Sequence, residues 1–477
     1  MAPKDSLSGP VKIAYGFGLS AEGIKTNAFN LFLLFYYQQI VGLDPGLCGL
    51  ALFIALLIDA VTDPAVGVWS DGLQSRFGRR HPFMYASSLP LAACFIGVFM
   101  PPAGLSQTAL FLWLLGFASG TRFAMTLFAI PHQALVPELT KDYDERTSLQ
   151  TLRLVFAWLF GLVYAFLAYA VFLPATEQYP QGLLNPDGYV SFAIWGAIIM
   201  VVTTFLSSLG TQRAALRTQV DESRMQQVRL RKLPQDIKAA LQSPSYRAAV
   251  LGGLCLWVSF GVTQTLNNYL FTFLWGFTSE QLTIFIFVIM ASSLLALVIT
   301  RPLAQRLGKK HLTIITAVVA PLILSTLIFV RLANLLPGTG APILMWVVGA
   351  ASFVSYTAMI ISMIMVGSMI ADVTDEHELR TGARQEGLLF SANALIAKAS
   401  SGLGVLVSGF VIKLAAFPAN ATTGSVEPQV VHNLGLFTAL ITLLFGVGMV
   451  LGFLPHRLTR ERHEAIIEEL QRVRESA

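Results

Sequence analysis

Apolar residues run along this chain in blocks of about 20, the helix length that crosses ~30 Å of hydrocarbon at about 1.5 Å per residue, and polar residues gather in short intervals between the blocks. The pattern predicts an all-α integral membrane protein of about twelve spans, grouped six and six. The first six are expected at 12–40, 46–70, 82–104, 107–135, 149–174 and 189–210, and the second six at 246–276, 281–303, 312–333, 342–370, 385–416 and 432–455. The expected organisation is a six-helix bundle over 1–210, a charged linker over 211–245, a second bundle over 246–455 and a tail over 456–477. In the tail Ala465, Ile466, Ile467, Leu470 and Val473 recur near helical spacing among Glu and Arg. That spacing fits an amphipathic surface helix or a solvated charged one.

Composition agrees with a membrane solvent. Of 477 residues, 55% are hydrophobic and 12% charged, against the roughly 25% charged content of soluble domains. Mean hydropathy is +0.65. Cys48, Cys94 and Cys255 all fall in apolar runs, an odd number without short spacing, so they read as packing residues and not as a disulfide or zinc framework. The net charge of +5 comes from bases in short loops, which points to topology and away from nucleic acid. Basic residues resist translocation. One set of loops carries Arg76, Arg79 and Arg80, Lys141 and Arg146, Arg301, Arg306, Lys309 and Lys310, and Arg380 and Arg384, while 175–189 and 418–433 carry no Lys or Arg. Both termini and the linker are therefore expected in the cytoplasm. Residues 1–10 lack the apolar core and cleavage site of a signal peptide. Asn420-Ala421-Thr422 matches a glycosylation triplet too common by chance to carry weight.

The loops also repeat. Arg76-Phe77-Gly78-Arg79-Arg80-His81 and Arg306-Leu307-Gly308-Lys309-Lys310-His311 stand 230 residues apart, after the second and eighth spans. Leu139-Thr140 with Arg146-Thr147 recurs 234 residues on as Val373-Thr374 with Arg380-Thr381. Two nearly equal offsets predict two parallel six-helix repeats, expected to enclose a cavity opened alternately to each side. Asp71, Arg76, Arg79, Arg80, Asp142, Arg146, Asp372 and Arg380 are the candidate gating charges.

An ionisable group inside hydrocarbon costs about 2.5–3.5 kcal/mol on insertion scales and needs a partner or a purpose. Asp59 and Asp63, four apart on the second span with Thr62 beside them and Pro64 loosening the helix, share one helical face. Two buried carboxylates so close hold a proton or recruit a cation, and such oxygens suit Na⁺. The alternative is that they pair with bases as gates or struts. Glu22 and Lys25 on the first span, Arg122 on the fourth and Arg153 on the fifth offer donors to an anionic solute, although Glu22 and Lys25, three apart, can simply pair. Gln264, Asn267 and Asn268 on the seventh span suit hydroxyl recognition or interhelical hydrogen bonding. His132, Gln133 and Tyr356 are weaker candidates of the same kind.

The run from Asp59 through Pro64 to Gly67, continuing through Asp71 to Gly78-Arg79-Arg80-His81-Pro82-Phe83, resembles the signature of the glycoside-pentoside-hexuronide:cation symporters of the major facilitator superfamily. Further similarity lies in Tyr15-Gly16-Phe17-Gly18, in Ile130-Pro131 with 138–147, and from Ala371-Asp372 to Glu386-Gly387. The resemblance implies cation-coupled transport, with Asp59, Thr62, Asp63 and Thr126 as the cation site and Na⁺ possible at Asp59 and Asp63. It also implies a buried lysine at Lys398 with Asn393 as its polar neighbour. Melibiose permease, the familiar member, uses acids on its first and fourth spans where this chain has Gly23 and Ala129, which disfavours a melibiose-like galactoside.

The expected function is therefore Na⁺- or H⁺-coupled symport of a sugar or sugar-acid-like solute. The chain is expected to act as a monomer without further cofactor, in a bacterial cytoplasmic membrane. Carriage of an amphipathic solute such as a lysophospholipid is the alternative, prompted by 33 Phe and a related animal branch of the superfamily. An enzyme or ATP-driven pump is disfavoured, since Gly308-Lys309-Lys310 lacks the hydroxyl residue of a phosphate-binding loop.

Overall fold

Every regular element among the described residues is a helix, the structure that satisfies its own backbone where no water is at hand. The computed structural model describes residues 7–73, 75–217, 242–381, 386–422, 424–458 and 460–476. Arg224, Arg229, Arg231, Lys232 and Lys238 of the expected linker, and Arg384, lie outside them.

Eleven helices among the described residues are long and apolar enough to cross a bilayer. The twelfth expected span, 12–40, is helical from Gly9 to Val41 but broken, so no single piece of it qualifies. It comprises α1 (Gly9–Gly18), α2 (Ser20–Asn27) and α3 (Leu34–Tyr36), with π-helical turns over Ala28–Leu33 and Tyr37–Val41. The break at Leu19 follows Gly18, which lets α1 approach so closely that a Cβ there would lie 2.5 Å from Ser207 Oγ. At the far end the Tyr36 and Tyr37 hydroxyls donate to the Phe99 and Val98 carbonyls, each at 2.8 Å. Such π turns inside helices frequently mark functional segments.

The first half continues with α4 (Pro45–Gly72), α5 (His81–Phe99), α6 (Gln107–Ala134), the short α7 (Val136–Leu139), α8 (Tyr143–Leu167) and α9 (Pro186–Arg217). The second holds α10 (Pro244–Tyr269), α11 (Ser279–Leu307), α12 (Lys309–Leu332), α13 (Pro342–Thr381), α14 (Glu386–Leu414) and α15 (Pro428–Phe453), followed by α16 (Arg460–Ser476) in the tail. The span expected at 82–104 stops at Phe99, just before Pro101-Pro102. Those expected to end at 210 and 370 run on to Arg217 and Thr381, because polar residues continue the helix past the apolar stretch.

By their contacts the residues form two compact units. One gathers the helices through α9 with Thr278–Ile286 and Ala416–Val426, and the other gathers the rest. In the first, α2 packs on α8, α1 on α9, α4 on α6, and α5 on both α6 and α9. In the second, α10 packs on α14 and α15, and α12 on α13 and α15. There α11 meets α13 where Ser292 Oγ donates to the Phe353 carbonyl at 3.1 Å. The order of partners is the same, helix for helix. So is one close crossing: a Cβ on Gly23 of α2 would overlap the Ala157 carbonyl of α8, and one on Gly261 of α10 would lie 2.5 Å from the Ser401 carbonyl of α14. Small residues that let backbones touch drive association between helices in lipid.

The tail does not lie free. Ile466 and Leu470 of α16 are buried in a cluster with Leu458 that packs against Leu379 of α13, and His463 Nε2 stands 3.0 Å from Asp375 Oδ2.

Candidate cation site

Asp44 caps α4, its carboxylate accepting from Gly46 N and Leu47 N at 2.9 and 3.1 Å, and Pro45 fits the first helical position. About four turns on, Asp59 and Asp63 face α6, as their spacing requires. Thr126 of α6 places Oγ1 2.9 Å from Asp59 Oδ1 and 2.8 Å from Asp63 Oδ1. Asp59 is 3% exposed, whereas Asp63 is half-buried.

One hydroxyl has one proton to give. Both contacts are hydrogen bonds if one carboxyl itself carries a proton. Otherwise the second contact sets a hydroxyl lone pair against a carboxylate, a repulsion that a small cation among these oxygens relieves. Thr62, expected beside the pair, instead donates to its own helix at the Asp59 carbonyl, 3.1 Å away. The hydroxyl that joins the acids is Thr126.

The buried bases sort differently from one another. Lys25 Nζ pairs with Glu22 Oε1 at 2.8 Å, and Thr26 Oγ1 adds a bond to the same oxygen at 3.2 Å. Arg122, expected on the solute's side, stands one turn before Thr126 with Nη1 3.8 Å from Asp59 Oδ2 and its guanidinium 5.2 Å over the Phe29 ring. Arg153 of α8 lies 3.4 Å from Gln150 Oε1, while its Nε and the nearby Tyr15 hydroxyl are buried without a partner among the described residues. Tyr15 stacks on His132 with ring centroids 4.3 Å apart.

In the second unit Asn267 Nδ2 donates to the Tyr356 hydroxyl at 2.8 Å; Asn268 is fully buried and Gln264 half-buried. Asn393 and Lys398 are half-buried on α14. A cavity of about 310 Å³ opens beside the last turn of the first span, separate from the aspartates, lined by Gln39, Gln178, Tyr179, Gln181, Asn420 and Thr422. Buried Gln38 and Gln39 fix one of its walls, donating to the Phe417 and Pro418 carbonyls at 3.0–3.2 Å.

The loop charges pair within each unit. Arg79 and Arg80 meet Glu138 at 2.9 and 2.8 Å, and Arg80 also meets Asp71 at 3.3 Å. Lys309 meets both oxygens of Asp372 at 2.7 and 2.6 Å. Asp142 caps α8 by accepting from Glu145 N at 2.8 Å, and Arg146 Nε donates to the Thr140 carbonyl at 3.0 Å. Arg76 leans on the Phe77 ring at 4.8 Å, and Arg380 reaches His377 Nδ1 at 3.5 Å. Glu138 was not among the expected gating charges. The signal was present, since Glu138 and Asp372 are separated by the 234 residues that relate the second matched loops, and Arg79 and Lys309 by the 230 of the first.

Known proteins give the same picture. The family described as MFS/sugar transport protein matches residues 14–460. The isoprimeverose transporter of Lactiplantibacillus pentosus is 22% identical, over 86% of this chain and 81% of its own. The glucuronide carrier protein homolog of Escherichia coli (strain K12) is also 22% identical, over 97% of this chain and 96% of its own. The solved structure of a bacterial homologue of the human lysosomal transporter Spinster shares the fold, with a TM-score of 0.64 over 95% of this chain and 98% of that one at 12% identity. The chain is thus a secondary transporter embedded in the membrane and not an enzyme: it belongs to the glycoside-pentoside-hexuronide symporter family of the major facilitator superfamily that its aspartate motif resembles.

Proposed function

We propose that this protein couples uptake of a sugar or sugar acid to entry of one Na⁺ or H⁺, by alternating access, as a monomer in a bacterial cytoplasmic membrane with both termini inside. The observation that carries the proposal is the single Thr126 hydroxyl held between the carboxylates of Asp59 and Asp63. Two carboxylates and a hydroxyl so close together suit a hard monovalent ion or a shared proton. The basic loops at one end of the helices support the topology.

The class of solute is supported from two sides. Arg153 Nε and the Tyr15 hydroxyl are buried donors of the kind that meet a hydroxyl or carboxylate, and the 310 Å³ cavity sets amides and a phenol among apolar Ile40, Leu184 and two prolines, a mixed lining that suits a sugar's hydroxyls and its apolar ring face. The relatives named for isoprimeverose and glucuronide span a neutral sugar and an acidic one. A carboxylate in place of Gly23 has no room against Ala157, which argues against recognition of a galactoside through an acid there.

The test is a thermal-shift screen of purified protein against sugars, sugar acids and lysophosphatidylcholine, with NaCl or choline chloride, followed by uptake of each stabilising solute into proteoliposomes under imposed Na⁺ or H⁺ gradients. Stabilisation by a sugar or sugar acid that deepens with the cation, and uptake driven by its gradient, is the expected result. Stabilisation by lysophosphatidylcholine alone, or uptake indifferent to both gradients, overturns it.

A further inference from the structure

We propose that the 310 Å³ cavity is a second solute site, an outer anteroom that binds a neutral saccharide apart from the aspartates. The inference rests on the reading above that the solute is a saccharide. All of the lining belongs to the first unit. It comes from three stretches that the proposed topology puts outside: the last turn of the first span, 175–189 after the fifth span and 418–433 before the twelfth. The walls are held by their own hydrogen bonds. Gln39, 1% exposed, donates to the Pro418 carbonyl at 3.0 Å and accepts from Ala421 N at 3.0 Å. Asn420 takes a left-handed backbone conformation at φ 54°, and its amide nitrogen donates to the Gln39 and Ile40 carbonyls at 2.9 and 3.2 Å. Those carbonyls lie in the π turn Tyr37–Val41, at the end where a helix leaves its last acceptors unpaired. On the other wall Thr176 N donates to the Tyr179 carbonyl at 2.9 Å, and Tyr179 N to Thr176 Oγ1 at 3.0 Å. A Cβ on Gly182 would overlap the Leu173 carbonyl, which seats the 3₁₀ turn Gly182–Leu184 behind Gln181.

The lining decides what fits. None of its residues carries a carboxylate, ammonium or guanidinium, and the two loop segments hold Glu177, Asp187 and Glu427 but no Lys or Arg. A sugar acid entering there meets no counter-charge to offset the water it gives up. A neutral saccharide exchanges that water for the amides and for the hydroxyls of Tyr179 and Thr422, and lays its C–H face on Pro180, Pro186 and the Tyr179 ring. An acyl chain finds no continuous apolar wall. The volume stands at the lower end of the roughly 300–1,000 Å³ of small-molecule sites, room for one such sugar. Neither Asp59 nor Asp63 lines the cavity, so binding in it needs no coupling ion. The anteroom thus selects for neutral charge before the cation is engaged.

The test is protection of an introduced thiol. Full-length protein in right-side-out vesicles is labelled with a membrane-impermeant maleimide at Thr422→Cys, at Gln178→Cys and, away from the cavity, at exposed Leu335→Cys after α12. Wild type, whose three cysteines lie within the helices, is the blank. Thr422 and Gln178 are exposed, so folding is not at stake. Xylose, glucose, cellobiose and glucuronate are the probes, each with NaCl or choline chloride. At least one neutral sugar in excess slows labelling of Thr422→Cys and Gln178→Cys about threefold or more, as mass action requires of an occupied site. The protection is equal in choline and in the Asp59→Asn/Asp63→Asn background, is lost when Tyr179→Ala is added, and is absent with glucuronate and at Leu335→Cys. Labelling indifferent to all three neutral sugars overturns the inference. So does equal protection by glucuronate, protection that vanishes in Asp59→Asn/Asp63→Asn, or protection that persists undiminished with Tyr179→Ala. A sugar that protects Thr422→Cys yet enters proteoliposomes under neither gradient leaves this site standing and counts against the symport proposed above. Cation-driven uptake of a sugar that gives no protection does the reverse.

Discussion

Thr126 is the smallest part on which the site turns. Its hydroxyl holds Asp59 and Asp63 within 3 Å of one atom. Thr126→Val keeps the shape and removes that bridge, and weakens cation binding about tenfold, the ~1.4 kcal/mol of one hydrogen bond to a charged group; Thr126→Ser stays near wild type. Titration of cation-dependent thermal stability checks both. Thr62→Val changes cation affinity less than about twofold by the same assay, because its hydroxyl serves the Asp59 carbonyl. The contrast shows what was legible. A four-residue spacing fixes the relation of two side chains on one helix, so the facing acids were readable from sequence. Whether a hydroxyl turns back to its own helix, or which helix offers an arginine to Asp59, depends on neighbours hundreds of atoms away along the chain.

At the scale of elements, glycines decide which helices touch. Gly23→Asp does not restore a family-like sugar acid contact. It wedges α2 from α8 at the Ala157 carbonyl and costs about 3 kcal/mol or more, seen as lost thermal stability and yield. Gly404→Leu acts likewise on α10 and α14, since a Cβ there already lies 2.5 Å from the Val258 carbonyl. The helices themselves were legible because each apolar block has the length of a bilayer, with one exception. The first span is broken at Leu19 and π-wound beyond it, a departure that arises from the contact of Gly18 with Ser207 and from the tyrosine anchors on Val98 and Phe99, none of which leaves a mark in hydropathy. The tail helix was legible in period but not in partner. Its root offers a pH test. Burial holds His456, between α15 and α16, below its ordinary value of 6.5 despite Asp372 and Glu376 nearby. The folded protein thus binds that proton less readily than the unfolded chain, so the stabilisation is complete above about 6.5 and is lost as pH falls below it. Melting temperature between pH 7.5 and 5 should fall more steeply in wild type than in His456→Gln.

Over the whole molecule, the two units repeat one design at two strengths. Arg79 with Glu138 and Lys309 with Asp372 are the same ion pair at equivalent places. Glu138 is 10% exposed at its side chain and also holds Arg80, so Glu138→Gln leaves buried guanidinium charge uncompensated and lowers stability by about 3 kcal/mol. The Lys309 side chain is 38% exposed, and His463 Nε2 remains 3.7 Å from Asp372 Oδ1 when it is removed, so Lys309→Gln costs less, about 1 kcal/mol. Chemical denaturation of the two variants measures the difference. The repeat offsets made this equivalence readable in the sequence, while the inequality came only from burial. Transport by such a molecule rests on whether the carboxylates of α4 take up the driving ion. The most direct measurement is the steady-state accumulation ratio of a stabilising sugar or sugar acid in proteoliposomes under an inward Na⁺ or H⁺ gradient, for wild type and for Asp59→Asn/Asp63→Asn. Accumulation well above equilibrium in wild type, and mere equilibration or no entry in the variant, is the predicted result. Undiminished accumulation by the variant would contradict it.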